Sequence, residues 1–142
     1  MSDPYRRAAE AYSQGSHSVL DQRTLEANAL LKAASRLERV RDAWRPERYD
    51  DLGEALLNNR KLWTIFATEA ADGSERLPVD LRTNVANIAV FVFKRSIELL
   101  AAPAPEKIDA LIEINRTIAS GLMSRGDATA ATASPAAQTA AG

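Results

Sequence analysis

Large apolar residues recur through most of this chain at steps of three and four, the spacing that places them on one face of a helix. Proline, glycine and capping residues divide the pattern into five segments. Asp3-Pro4 reads as an N-cap with proline at the first helical position, opening a short helix from Pro4 to about Ser13 that Gly15 ends. A second start follows. Ser18 and Asp21 stand at capping-box spacing, and Leu30, Ala33, Leu37, Val40 and Trp44 then form one stripe. This helix is expected to run to about Arg45, because Pro46 disfavours helix in the residue before it. Asp51 and Glu54 repeat the capping spacing ahead of a stripe of Leu52, Leu56, Trp63, Phe66 and Ala70, which Asp72-Gly73 closes.

Pro78 opens the fourth segment, with a stripe of Leu81, Val85, Ile88, Val92 and Leu99. Val90, Phe91, Phe93 and Ile97 extend its apolar surface most of the way round, so neighbours or a partner must cover it. A strand over Ile88–Phe93 is the competing reading, since β-branched and aromatic residues are dense there. The flanks keep helical spacing and no second strand candidate exists to pair with it, so helix is preferred. Pro103 and Pro105 stop this helix. Pro105-Glu106 begins a fifth, with Ile108, Leu111, Ile112, Ile118, Ala119 and Leu122 on one face and Gly121 as a candidate C-cap.

After Leu122 the chain turns to Ala, Thr, Ser, Gly and Pro and cannot repay its ordering entropy. Residues 1–122 therefore read as one all-α domain, and 123–142 as a disordered tail. Tight connections imply an antiparallel bundle of about four long helices plus a short N-terminal helix.

Two polar residues interrupt the stripes. Asn59 falls among Leu56, Trp63 and Phe66, and Asn115 falls among Leu111, Ile112 and Ile118. Each is followed by arginine, Arg60 and Arg116. An unpaired buried amide costs roughly 1–3 kcal/mol, so both need partners. They fix helix register, or they hydrogen-bond an incoming chain, and the two roles can coexist. Trp63, one turn from Asn59, reads as core, with an interface role as the alternative. Leu57, Ile65, Val90, Phe93 and Ile114 lie off the stripes, and gathered in space they would form a groove for an amphipathic helix.

Composition narrows the function by exclusion. The chain has 142 residues, 46% hydrophobic and 26% charged, with a net charge of −1, so no global field draws it to nucleic acid or to an anionic membrane. With no cysteine and a single histidine, His17, placed in a turn, neither a thiolate nor a histidine-cluster metal site can be built. The glycines are isolated, so there is no phosphate loop, and no carboxylate pair stands out. Neither catalytic residues, a cofactor nor a small-molecule substrate is expected. The longest apolar run, Ile88 to Phe93, is far below the roughly 20 residues of a membrane span, and the first residues lack a signal-peptide core. Arg36, Arg39, Arg41, Arg45 and Arg48, with Trp44 and Tyr49 among them, have the composition of an RNA-binding strip, but Glu38, Asp42 and Glu47 interleave as on a solvated face. Direct RNA contact is not expected.

The segments Asn59-Arg60-Lys61-Leu62-Trp63, Leu77-Pro78-Val79-Asp80-Leu81-Arg82 and Ile112-Glu113-Ile114-Asn115-Arg116-Thr117-Ile118-Ala119-Ser120-Gly121-Leu122 stand in an order and spacing that resembles the FlaF family of flagellar regulators. The likeness extends over about residues 3 to 122. It implies a cytoplasmic assembly factor that binds flagellin as a secretion chaperone and supports its synthesis and export. The alternative is a post-transcriptional regulator or adaptor acting on flagellin messenger RNA with FlbT, a second possible partner. The candidate partner-binding residues are Leu57, Asn59, Arg60, Trp63, Ile65, Phe93, Asn115 and Arg116.

Overall fold

A computed structural model describes the backbone of residues 4–72 and 79–131, and the side chains of 4–7, 22–72, 79–80 and 82–124. Four helices make up almost all of it: α1 (Pro4–Asp42), α2 (Tyr49–Ala71), α3 (Val79–Ala101) and α4 (Pro105–Ala131), with one 3-10 turn, Pro46–Arg48, between the first two. No strand occurs among the described residues, and Ile88–Phe93 lies within α3.

The expected short N-terminal helix is not separate. α1 runs unbroken for 39 residues through Gly15 and His17. A glycine ends a helix when it takes a left-handed conformation, and otherwise merely weakens it by about 1 kcal/mol relative to alanine. With no proline nearby, Gly15 and the residues after it continue the helix. Gly121 likewise lies inside α4, which passes through it to Ala131, so the first residues of the expected tail are helical. Residues 132–142 lie outside the described residues.

The turn after α1 follows from Pro46. Arg45 is extended, at φ −150° and ψ 150°, as the residue before proline prefers. α1 therefore stops at Asp42, three residues earlier than expected, and Pro46 opens the 3-10 turn. That turn launches α2 at Tyr49, ahead of the Asp51 start read from the sequence. Arg48, its N-cap, makes no side-chain capping bond, and Asp50 and Asp51 instead place negative charge in the first turn. Asp72 caps the other end, its N–H reaching the Thr68 carbonyl at 3.0 Å.

The helices pack in the cyclic order α1, α2, α3, α4, each neighbour antiparallel. Tyr49 at the start of α2 donates its hydroxyl to the Leu100 carbonyl at the end of α3, at 2.7 Å. Arg41 near the end of α1 meets Asp109 near the start of α4 at 2.7 Å, and Arg116 pairs with Glu38. The Asp109 bond, with Asp42 second, raises the Arg41 guanidinium above its ordinary pKa. The core is drawn from the stripes: Leu30 and Leu37, Leu52, Leu56, Trp63 and Phe66, Val85, Val92 and Leu99, Ile108, Leu111, Ile112 and Leu122 are buried, while Trp44, Ala70 and Ile88 are half-buried against them and the side chain of Leu81 lies outside the described residues. Truncating one such leucine to alanine costs roughly 2–5 kcal/mol through lost burial and the cavity left behind.

Candidate partner-docking surface

The two asparagines meet in the interior. Asn115 Nδ2 donates to Asn59 Oδ1 at 2.7 Å and to the Leu30 carbonyl at 3.4 Å, while Asn115 Oδ1 accepts the Trp63 indole N–H at 2.9 Å. One amide on α4 thus joins α1 and α2. All three side chains are fully buried, and in the closed bundle none offers an atom to solvent. This arrangement performs the register role: any shift of α4 against α2 leaves polar atoms unpaired in a dry core. Among the described residues, Asn59 Nδ2 has no hydrogen-bond partner.

Two of the other expected contact residues also fall away from a common surface. Arg116 is held by Glu38 across the α1–α4 seam. Ile65 is 55% exposed but projects from the flank of α2 that faces α1, about 80° around the helix from Leu57. Leu57, Arg60 and Phe93 remain, and these come together on the outer side of the α2–α3 pair. The Tyr49–Leu100 bond sets the level. From it, Leu57 lies eight residues along α2, about 12 Å, and Phe93 seven residues back along α3, about 10.5 Å. Leu57 is exposed, and Phe93 is half-buried against the core.

α3 explains why this surface exists. Its inner face buries Val85, Ala89, Val92 and Leu99, with the Ser96 hydroxyl satisfied by its own helix at the Val92 carbonyl, 2.7 Å away. A second row, Val79, Thr83, Ala86, Val90, Phe93, Ile97 and Leu100, alternates steps of four and three along the flank towards α2. That is the repeat found along the seam of packed helices. Here Val79, Val90 and Ile97 stand 69%, 56% and 61% exposed. Beside them on α2 lies Gly53, where an added Cβ would meet nothing within 4 Å. The result is an exposed apolar row along the α2–α3 seam, dipping at Gly53 where no side chain fills the surface, and it is this shallow trough that stands out on the pair.

The other flank of α3 opens into a cleft of about 300 Å³ against α4, lined by Ile88, Phe91, Ala110, Glu113, Ile114, Thr117 and Ile118. Arg95 bounds it, with its guanidinium 5.0 Å from the Phe91 ring centre and an N–H on the Lys107 carbonyl at 3.1 Å. Ile114, expected off the stripe, lines this cleft and not the trough. Ile97 and Gly53 complete the trough, and the four-three spacing that points to Ile97 is visible in the residues themselves.

The arginine strip is partly used within the chain. Arg36 pairs with Glu54 at 3.3 Å and Arg41 with Asp42 and Asp109, while Trp44 is half-buried against the core. Among the described residues, no group of three or more His, Cys, Asp or Glu is placed to hold a metal ion. None of the described helices is long and apolar enough to cross a membrane.

This is a helical protein whose distinctive surface is an uncovered apolar face, with a buried amide pair keying its core. The family model for flagellar protein FlaF matches residues 8–122, and the chain belongs to that family. Searches of curated proteins and of solved structures returned no match.

Proposed function

We propose that this FlaF-family protein is a cytoplasmic secretion chaperone for flagellin. Membership of a flagellar family supports the setting. The observation that carries the reading is the trough on the α2–α3 face, where Leu57, Val90 and Ile97 stay exposed beside a fully buried core. Such an apolar row on an isolated chain is a helix-binding surface in waiting. Held there, the aggregation-prone helical part of a flagellin monomer is kept from premature polymerisation until export. Any effect on flagellin synthesis, with or without FlbT, then follows from protein contact, because the arginine strip is partly consumed in ion pairs. Purified chain and flagellin are expected to co-elute as a one-to-one complex on size-exclusion chromatography. Separate elution at micromolar concentration overturns the proposal.

A further inference from the structure

The trough is apolar, but the charge on its rim is predominantly positive. Arg60, Lys61 and Lys94 are exposed, and among the described residues none has a carboxylate within ion-pairing distance. Their helical positions place them around the same patch. Arg60 lies on the α3 side of α2, one turn from Leu57. Lys61 lies on the outer crest of α2, also one turn from Leu57. Lys94 lies on the outer crest of α3, one turn beyond Val90. The acids nearby are engaged elsewhere: Glu54 pairs with Arg36 on the α1 side, and Glu98 pairs with Arg95 at 3.3 Å. Asp50 is the exception, two turns from Leu57 towards the start of α2.

Three cations with no carboxylate partner among the described residues, set around an exposed apolar row, form an electrostatic frame, and such frames select partners by the sign of their flanks. We infer that the occupant of the trough is an amphipathic helix whose apolar stripe is bordered by acidic residues, laid along α2 and α3 so that its carboxylates meet Arg60, Lys61 and Lys94. The inference rests on the reading of the chain as a helix-binding chaperone and adds the chemistry of the guest. Rim charges act mainly on the rate of encounter and on the choice of partner, while the apolar row supplies the hold.

Two labelled helical peptides test it, one with a leucine stripe flanked by Glu and the other with the same stripe flanked by Lys. Each is titrated with the full chain and read by fluorescence anisotropy. The Glu-flanked peptide is expected to bind roughly tenfold more tightly, with an advantage that shrinks as salt is raised. The double variant Arg60→Glu, Lys94→Glu is expected to reverse the preference while leaving the circular dichroism spectrum and melting temperature unchanged. A second double variant, Arg39→Glu, Arg45→Glu, on the strip between α1 and α2, is expected to leave the preference as it was. Equal affinities for the two peptides, or a preference untouched by reversal at Arg60 and Lys94, overturns the inference. Flagellin co-elution is scored separately, so a chain that holds flagellin yet ignores flank charge sinks this inference alone. A chain that reads flank charge yet lets flagellin pass sinks the flagellin reading alone.

Discussion

Around Asn115, three helices are held to one another by named polar atoms at 2.7 to 3.4 Å. Along the outer flank of α3, apolar side chains of similar size meet solvent. Polar bonds in a dry core are directional and punish any other arrangement, so they specify which helix lies where. Apolar surface is permissive, since it stabilises any covering of suitable shape. α1, α2 and α4 carry the specified part. α3 is joined to its neighbours near its C-terminal end, by Tyr49 to its Leu100 carbonyl and by Arg95 to the Lys107 carbonyl, and its middle meets the core through Val85, Ala89 and Val92. The molecule thus separates the region that fixes its own shape from a region of exposed apolar surface.

Substitutions in the two regions should therefore differ in kind. The largest expected loss is Trp63→Ala, which removes a fully buried ring and the donor to Asn115. It is expected to lower the unfolding free energy by about 3–5 kcal/mol in urea titration. Asn115→Leu comes next. It orphans the Trp63 N–H and the Asn59 oxygen together, at roughly 1–3 kcal/mol each. Asn59→Leu is expected to cost less, because Asn115 keeps the Leu30 carbonyl and the unpaired Asn59 nitrogen is removed. The double Leu variant is expected to be less destabilised than the sum of the singles, and simple additivity in urea melts would dissolve the idea of a coupled triad.

On the α3 side the pattern inverts. Leu57→Asp and Ile97→Asp are expected to change stability by under about 0.5 kcal/mol, since both side chains are already exposed, yet to abolish flagellin co-elution. Gly53→Ala is expected to stabilise the chain by roughly 0.5–1 kcal/mol, because the added methyl meets open space and the unfolded chain loses freedom. If the guest backbone approaches closely there, the same change weakens binding, and opposite signs in melting and co-elution would sharpen the comparison. The smallest effect is expected from Arg116→Ala. Its surface ion pair with Glu38 is worth about 0–1 kcal/mol and lies away from the trough.

The fold was legible wherever one strong local signal acted alone. Pro46, Pro103 and Pro105 marked real boundaries, and the stripes from Leu30 to Leu122 named the core, because burial imposes a period that no other force mimics. It was illegible where a residue has two uses. Gly15 and Gly121 can end a helix or sit within one, and only the backbone conformation, which tertiary packing helps decide, separates these. Asn59 and Asn115 were visible as interruptions, but their mutual bond depends on the antiparallel register of α2 and α4, which no local pattern encodes. The surface site was half visible. Leu57, Phe93 and Arg60 were separately conspicuous, while their shared face, and the placement of Ile65 and Arg116 on other faces, required knowing which helix stands beside which.

The burial of Trp63 carries one more consequence. An indole sealed from water and hydrogen-bonded to an amide emits at short wavelength, so this chain contains its own optical gauge of whether the bundle is shut. A guest that lies on the outside leaves that emission colour where it was. A guest that pries the helices apart shifts it towards the red. Recording the spectrum of a Trp44→Phe variant during a titration therefore distinguishes a protein that lends its surface from one that opens to swallow its client.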